Sequence, residues 1–359
     1  MFGGVYRNKR VLVTGHTGFK GSWLCKWLNH LGAEVFGYSL NPSTEPNHFE
    51  LSNPKVNSHI NNIQDFNSVR DFIIKSAPEI IFHLAAQPLV IESYKEPLET
   101  FTTNVIGTAN ILEAVRNIDT VKAVIIITTD KCYKNKECIY GYRETDELGG
   151  YDPYSASKAC TELVTESYKN SFFNEDNTGL LIASARAGNV LGGGDWTSNR
   201  IFKDIAIAAS EKEKLILRNP ESIRPWQHVL EPLSGYLLLG QLLFQNRKEF
   251  AEPWNFGPSY NSNITVRELV NIVKKRWNDI EVEFEKSKIY ESKYLMLDSS
   301  KAYNKLKWNP VWGIDLTINN TIDWYKNYYE KKIVKTDDQI ENFIQDAQKN
   351  KISWALDVT

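Results

Sequence analysis

Short apolar runs alternate with amphipathic segments through the first half of the chain. The β-branched run Arg10–Thr14 stops at Gly15, and apolar residues then recur at helical spacing at Trp23, Leu24, Trp27, Leu28 and Leu31. Similar patterns predict strands over residues 34–40, 79–87, 122–128 and 180–185, and helices that open near residues 104 and 153. Strands that alternate with helices in this way form a doubly wound parallel sheet. The predicted fold class is therefore α/β with a Rossmann-type sheet.

The pattern is less regular in the second half, where helices are predicted over residues 233–244 and 265–277 among short apolar runs. We expect a smaller, mixed α/β lobe in this region. The predicted organisation is a Rossmann-type domain over residues 1–190, a substrate lobe over 191–330 and a polar C-terminal tail over 331–359. A later segment, about 222–247, is expected to return to the first domain.

Three glycines stand between the first predicted strand and the first predicted helix, in the string Gly15-His-Thr-Gly18-Phe-Lys-Gly21. Glycines here let the backbone approach a pyrophosphate, and the helix N-terminus offers unpaired N–H groups to it. The context predicts a dinucleotide site held by Gly15, Thr17, Gly18, Phe19, Lys20 and Gly21. Near residue 40 the chain has Ser39 and Asn41, with neither an acid for NAD nor an arginine for NADP, so these residues leave that choice open.

Small residues end the predicted strand over residues 79–87, in the string His83-Leu-Ala-Ala-Gln87. Small side chains at the carboxyl end of a parallel strand leave room for a cofactor to lie across it. We therefore expect Leu84, Ala85 and Ala86 to contact the cofactor.

A tyrosine and a lysine lie four residues apart in the string Tyr154-Ser-Ala-Ser-Lys158. Asp152 and Pro153 precede them as an N-cap and a first helical residue, so both side chains should share one helix face. Lowering a tyrosine pKa from about 10 towards 7 takes roughly 4 kcal/mol. The Lys158 ammonium, and later an oxidised nicotinamide, have the sign of charge that favours it. This pair predicts a phenolate base.

An acid and an amine follow the strand over residues 122–128, in the string Thr129-Asp130-Lys131. In most proteins such a pair is part of an exposed turn. At the mouth of a cofactor cleft, however, the two groups can donate and accept protons if burial brings their pKa values towards neutrality. We therefore predict Thr129, Asp130 and Lys131 as catalytic residues with Tyr154 and Lys158.

A glycine-rich loop and a basic cluster follow the strand over residues 180–185. Asn189 lies among glycines, in a composition suited to clasping a phosphate or a sugar. Arg218, Arg224 and His228 come next, and arginines are the expected clamp for a nucleotide diphosphate. On spacing alone, an ordinary charged surface explains these three residues about as well.

Composition narrows the classes of function. The 359 residues are 42% hydrophobic and carry a net charge of −2, which gives no electrostatic reason to expect nucleic acid or a membrane as partner. The longest apolar stretches, such as 236–244, are too short to span a bilayer. The four cysteines lack metal-site spacing and we recognise no secretory signal, so we expect reduced thiols, no metal and a cytoplasmic protein.

Together these motifs resemble the extended short-chain dehydrogenase/reductases that act on nucleotide-sugars, and within them the 4,6-dehydratases. The resemblance covers about residues 9–313. Asp130-Lys131 is similar to the members that act on CDP-glucose, whereas those for dTDP-glucose or GDP-mannose carry Glu at the second position. The strings that carry it are His16-Thr-Gly-Phe-Lys-Gly-Ser-Trp23, His83-Leu-Ala-Ala-Gln-Pro-Leu-Val90, Thr129-Asp-Lys-Cys-Tyr133, Gly149-Gly-Tyr-Asp-Pro-Tyr-Ser-Ala-Ser-Lys158, Arg186-Ala-Gly-Asn-Val190, Gly192-Gly-Gly-Asp-Trp196 and Ile223-Arg-Pro-Trp-Gln-His-Val-Leu-Glu-Pro232.

The resemblance implies NAD as the cofactor, with Asn62, Ile63 and Asn104 among its contacts, although Asn62 replaces the usual Asp. It implies CDP-glucose as the substrate and a homodimer formed through a helix bundle that includes the Tyr154 helix. It also implies a place in deoxysugar biosynthesis, such as that of lipopolysaccharide O-antigens. The implied substrate contacts are Gln87, Asn189, Arg200, Arg218, Arg224 and His228.

The chemistry that the resemblance implies begins with oxidation at C4. Tyr154, assisted by Lys158, would remove the 4-hydroxyl proton while a hydride passes to NAD⁺, and Thr129 would hydrogen-bond the C4 oxygen. Asp130 would then protonate the departing 6-hydroxyl, and Lys131 would either take the C5 proton or stabilise the enolate. Return of the hydride to C6 would give CDP-4-keto-6-deoxyglucose.

Two other classes of function compete with this interpretation. A nucleotide-sugar 4-epimerase shares the glycine motif and the Tyr–Lys pair, but it needs no acid–base couple after the strand. A non-catalytic NAD(P)-sensing protein typically loses the Tyr or the Lys, and both Tyr154 and Lys158 are present here.

Overall fold

The computed structural model describes residues 1–173, 179–198, 200–217, 219–259, 262–277, 280–285 and 294–356. The strands are β1 Arg10–Thr14, β2 Glu34–Ser39, β3 Asn57–Ile60, β4 Ile80–His83, β5 Ala123–Ile127, β6 Leu181–Ala187, β7 Val190–Leu191, β8 Leu215–Leu217, β9 Ile223–Pro225, β10 Gln227–His228, β11 Trp254–Phe256, β12 Asn263–Thr265 and β13 Val282–Phe284. The helices are α1 Phe19–His30, α2 His48–Ser52, α3 Phe66–Ser76, α4 Val90–Lys95, α5 Pro97–Phe101, α6 Gly107–Val115, α7 Pro153–Phe172, α8 Ile201–Glu211, α9 Leu230–Phe244, α10 Val266–Lys274, α11 Ile314–Lys331 and α12 Thr336–Lys349.

The central sheet has seven parallel strands in the order β3-β2-β1-β4-β5-β6-β11. The chain runs outward from β1 through β2 and β3, and then crosses back to place β4 on the other side of β1. Because the winding reverses there, a crevice opens at the carboxyl ends of β1 and β4. The sheet confirms the predicted Rossmann-type fold class.

Helices cover both faces of this sheet, and successive strand residues point alternately into the two cores. Val11 and Val13 belong to the apolar core that includes α1 and α9, whereas Leu12 belongs to the core on the α3 and α6 side. In β4, Phe82 and Ile81 divide in the same way. Strands buried on both faces are continuously apolar, which is why these runs were recognisable in the sequence.

The shorter strands form three two-stranded pairs, β7 with β10, β8 with β13 and β9 with β12. The long helix α9 packs against β4, β5 and β6 of the central sheet. No helix in the described ranges combines the length and apolar character needed to cross a membrane.

Most predicted element boundaries agree with the structure to within a few residues, but the helix expected to open at Asn104 begins earlier. Helical backbone runs from Pro97 through a π-helical turn, Thr102–Ile106, into α6. Pro97 occupies the first position of α5, where its missing N–H costs nothing. The expected start at Asn104 was therefore wrong.

The C-terminal segment contributes to the core. Helix α12 packs on α1, and Phe343 is fully buried there. Its ring contacts Trp27 edge-on at 5.6 Å and stacks on Trp354 at 5.9 Å between centroids. Phe2 also stacks on Trp354 at 5.0 Å, so residues from both ends of the chain share one aromatic cluster.

Replacing Phe343 by Ala should lower the free energy of unfolding by about 3–5 kcal/mol, because it leaves a cavity among close-packed rings. Chemical denaturation followed by tryptophan fluorescence would measure the change. Ile333→Ala is the control, since Ile333 is 46% exposed and should cost far less. Equal effects of the two substitutions would contradict a packed role for α12.

Candidate active site

A large cavity lies at the carboxyl end of the central sheet. Its volume is about 1730 Å³. Pockets for a single small ligand are roughly 300–1,000 Å³, so this cavity has room for two ligands side by side. The predicted site residues on its wall are Gly15, Thr17, Gly18, Phe19, Lys20, Gly21, Asn62, Ile63, Leu84, Ala85, Ala86, Gln87, Thr129, Lys131, Tyr154, Lys158, Asn189, Arg200 and Arg224.

The glycine loop forms one end of the cavity. Gly15 has a φ of +72°, and a Cβ on Gly21 would lie 2.1 Å from the Gly15 carbonyl oxygen. Neither position accepts a side chain, because backbone crosses backbone at this point. Helix α1 begins there with Gly18 as its N-cap, without a side-chain cap or an acidic first turn. Its free N–H groups therefore face an open site suited to an anion.

The neighbouring loop residues hold this turn in place. The Thr17 hydroxyl donates to the Leu40 carbonyl oxygen at 2.8 Å and also hydrogen-bonds the Ser39 hydroxyl at 2.8 Å. Thr17 thus ties the glycine loop to the end of β2. On the opposite side, the Ala85 N–H donates to the Thr14 hydroxyl at 3.1 Å. These contacts join the ends of β1, β2 and β4 into one wall.

Tyr154 and Lys158 come together on the first turns of α7. The Asp152 side chain caps this helix by accepting from the Ser155 N–H at 2.9 Å, and Pro153 is its first residue, as predicted. The Lys158 ammonium donates to the Ile127 carbonyl oxygen at the end of β5, at 3.2 Å. Helix α7 and strand β5 are therefore joined beside the cavity.

Burial dominates the electrostatics of this pair. Burial raises the pKa of Tyr154 to about 12, against the effect of a hydrogen bond with Thr129. Burial also lowers the pKa of Lys158 to about 8, and the nearby Lys20 adds to that decrease. Desolvation outweighs the charges that the protein itself places near Tyr154, and the lowering expected from Lys158 together with an oxidised nicotinamide stays a prediction.

Asp130 lies just behind the cavity wall. Its Oδ1 accepts a hydrogen bond from the Thr129 hydroxyl at 2.9 Å, and Gly188 approaches its other oxygen so closely that a Cβ would lie at 3.1 Å. Burial raises the pKa of Asp130, although Lys131, Thr129, Lys20 and Arg224 oppose the rise. The carboxyl group therefore keeps its proton to a higher pH than a free aspartic acid, as predicted for an acid.

Asn104, which was predicted to contact the cofactor, does not line the cavity. The Asn104 amide bridges the Gln87 backbone, at 2.8 and 3.1 Å, and donates to the Ser157 hydroxyl at 2.8 Å. It supports the wall from behind, and its contact with the cofactor stays a prediction. Gln87 itself lines the cavity, but its side chain bonds Leu89 and Thr100.

His228 is fully buried, with its ring 5.8 Å from Trp23 and 4.9 Å from Trp312. It is not among the residues that line the cavity, and its predicted contact with the substrate stays a prediction. Arg218 lies outside the described residues.

The remaining basic residues face the cavity from the later part of the chain. Arg200 pairs with Asp195 at 3.4 Å, and Arg224 donates to the Ile223 carbonyl oxygen at 2.9 Å. Asp195 and Trp226 also line the cavity and were not predicted. Trp226 follows β9 directly and lies two positions after Arg224, a spacing that in an extended chain places two side chains on one side.

Replacing Gly21 by Ala should abolish dinucleotide binding, because the new methyl group would collide with the Gly15 carbonyl. Isothermal titration with NAD would measure the loss, and circular dichroism would show whether the fold persists. Gly313→Ala is the matched control, since no atom lies within 4 Å of a Cβ there. NAD affinity equal to that of the unmodified protein in Gly21→Ala would contradict this role of the loop.

Comparison with known proteins gives a consistent picture. A family model described as GDP-mannose 4,6 dehydratase matches residues 12–321. The chain is similar to the CDP-glucose 4,6-dehydratase of Salmonella typhimurium, with 48% identity over 89% of this chain and 91% of that protein. It is also similar to the GDP-mannose 4,6-dehydratase of Yersinia enterocolitica, with 28% identity over 77% of this chain and 74% of that one.

Among solved structures, the fold is similar to that of the UDP-glucose 4-epimerase from Thermotoga maritima. The TM-score is 0.77 at 23% identity, and the match covers 89% of this chain and 100% of that one. At this identity the likeness concerns the fold alone. The family match and the 48% identical relative go further: this chain belongs to the GDP-mannose 4,6-dehydratase family, in agreement with the nucleotide-sugar 4,6-dehydratases that its motifs resemble.

Proposed function

We propose that this protein converts CDP-glucose to CDP-4-keto-6-deoxyglucose and water, with a bound NAD that is regenerated in each cycle. The observation that carries the proposal is the convergence of Thr129, Lys131, Tyr154 and Lys158 on one cavity, with Asp130 hydrogen-bonded to Thr129 directly behind its wall. The 48% identity to a CDP-glucose 4,6-dehydratase supports the choice of substrate. In this proposal the domain of residues 1–190 holds NAD, and the lobe of residues 191–330 holds the CDP-sugar.

The residues of the glycine loop fit NAD. Gly15 and Gly21 leave room for a pyrophosphate, and the uncapped N-terminus of α1 offers N–H donors to it. Ala85 and Ala86 leave the carboxyl end of β4 open for the rest of the cofactor. When bound, NAD supplies the hydride acceptor for C4 and the donor for C6.

Oxidation at C4 requires a base for the 4-hydroxyl proton, and Tyr154 is that base. Its phenol lies beside Thr129 on the cavity wall. Because burial holds the pKa of Tyr154 near 12, the phenolate needs positive charge close to it when it forms. Lys158 can supply part of this charge from one turn along the same helix face, while its bond to Ile127 fixes its position.

Loss of water then requires an acid that protonates the leaving 6-hydroxyl and a group that promotes removal of the C5 proton. Asp130 is the acid, because its raised pKa keeps the proton available and Thr129 orients it. Lys131 lines the cavity next to it and either takes the C5 proton or stabilises the enolate. The C5–H bond and the C6–O bond break, and the proton from Asp130 leaves with the hydroxyl as water. A proton must then return to C5 when C6 is reduced.

The substrate can be tested with a panel. Purified protein would receive CDP-glucose, dTDP-glucose, UDP-glucose and GDP-mannose in turn, with NAD⁺, and the products would be identified by NMR. We expect a 4-keto-6-deoxy sugar from CDP-glucose and little turnover of the other three. Conversion of UDP-glucose to its 4-epimer, or binding of NAD without any turnover, would overturn the proposal.

The two halves of the reaction can be separated with two conservative variants. Asp130→Asn removes the acid but keeps the side-chain shape, so a single turnover should stop after C4 oxidation and accumulate reduced cofactor. Tyr154→Phe removes the base, so the reduced cofactor should not form while CDP-glucose still binds. Stopped-flow absorbance would distinguish them. Full product formation by Asp130→Asn would show that another group protonates the leaving hydroxyl.

The resemblance also favours a homodimer, a cytoplasmic location and a role in the synthesis of O-antigen deoxysugars. These three points remain predictions.

A further inference from the structure

The reactive residues Thr129, Asp130 and Lys131 are flanked by two hydroxyl groups, those of Thr128 and Tyr133. Both hydroxyls are bonded to the same buried ion pair, Glu162 with Arg186. We propose that this pair acts as a clamp that positions the reactive segment for the elimination step. Glu162 and Arg186 are thus positioning residues, and the assignment of an elimination step rests on the proposed function.

Glu162 holds the first end of the segment. It lies on α7, one turn beyond Lys158, and it is only 4% exposed. Its carboxylate accepts hydrogen bonds from the Thr128 hydroxyl and, at 2.6 Å, from the Ser184 hydroxyl. Lys158 donates to the carbonyl oxygen of Ile127, the residue before Thr128. Helix α7 is therefore hydrogen-bonded to two consecutive residues at the end of β5.

Arg186 holds the second end. Its guanidinium donates two hydrogen bonds to Glu162, from Nε at 3.0 Å and from Nη2 at 2.9 Å. The remaining nitrogen, Nη1, donates to the Tyr133 hydroxyl at 2.7 Å, and the guanidinium lies over the Tyr133 ring at 4.9 Å. The Arg186 side chain therefore connects the Glu162 carboxylate, which binds Thr128, with Tyr133, which lies two residues after Lys131.

Tyr133 is in turn fixed to the sheet. Its hydroxyl donates to Asn255 Oδ1 at 2.8 Å, and the Asn255 amide donates to the carbonyl oxygens of Tyr142 at 2.8 Å and Asp298 at 3.2 Å. Asn255 lies in β11, the strand next to β6. The clamp thus connects the reactive segment to strands β5, β6 and β11 and to helix α7, which leaves the segment little freedom to shift.

The charges of the pair explain why a rigid clamp results. Although burial alone would raise it, the pKa of Glu162 is lowered by Arg186 and by the hydroxyl donors around it. Burial alone would lower the pKa of Arg186, but the charge of Glu162 outweighs burial and raises that pKa. Both groups are therefore charged, and charged groups form the strong, directional hydrogen bonds that fix geometry. A buried ion pair adds little net stability over an apolar pair, which favours a positional role.

The test uses the hydroxyls, because removing Glu162 would leave Arg186 buried without its counter-charge and such a variant is expected to fold poorly. Thr128→Val removes one bond to Glu162 without changing the volume much, and Thr128→Ser restores the hydroxyl. We expect Thr128→Val to lower kcat roughly tenfold with an unchanged KM, as misplaced catalytic groups do. Thr128→Ser should recover most of the rate. Tyr133→Phe should resemble Thr128→Val.

Matched controls separate positioning from general stability. Thr321→Val and Tyr6→Phe each remove a buried hydroxyl, those bonded to the Thr317 and Leu237 carbonyls, and neither residue lines the cavity. They should shift Tm about as much as Thr128→Val and Tyr133→Phe do, but leave kcat unchanged. If the controls lose as much activity, or if Thr128→Val keeps the unmodified rate, the clamp has no positioning role.

A second measurement does not depend on turnover. Hydrogen–deuterium exchange should be faster at the amides of residues 129–133 in Thr128→Val than in the unmodified protein, and Thr128→Ser should restore protection. Exchange that is identical in all three proteins would overturn the clamp even if activity falls. If the unmodified protein turned over no sugar nucleotide in the panel, the proposed function would fail while the exchange result still decided whether the segment is clamped.

Discussion

The hydrogen bonds between α7 and the end of β5 are the constraint on which the site depends. Lys158 holds the Ile127 carbonyl and Glu162 holds the Thr128 hydroxyl, so the helix with the tyrosine and the strand that leads into Thr129 cannot move independently. Tyr154 and the acid Asp130 belong to different elements, 24 positions apart in the sequence. Their chemistry requires a fixed separation, and these bonds between neighbouring elements supply it.

The same region shows how burial sets protonation. Desolvation raises the pKa of Tyr154 and Asp130, and it lowers the pKa of Lys158 and Lys20 to about 8. All four shifts are towards the neutral forms. Because these groups are buried, charge brought close to them by ligands is only weakly screened.

The cavity is built by parts of the chain that are distant in sequence but adjacent in the sheet. The winding reverses between β1 and β4, and the carboxyl ends of β1, β4, β5 and β6 all line the cavity. The later segments that carry Arg200 and Arg224 also contribute to its wall. The C-terminal helix packs behind α1 through Phe343 and Trp27, which supports the helix that carries the glycine loop. The site thus depends on aromatic packing well outside its own wall.

The sequence by itself determined the doubly wound sheet, the glycine loop and the pairing of Tyr154 with Lys158, because each rests on local spacing: apolar runs, a turn between strand and helix, and one helical turn. It could not determine which side chains face the cavity. Asn104 and His228 were predicted as contacts, but an amide bridge and a packed aromatic cluster hold them behind the wall. It also could not reveal the Tyr154 pKa or the Glu162–Arg186 pair, since burial and contacts between residues far apart in the chain arise only when the elements pack.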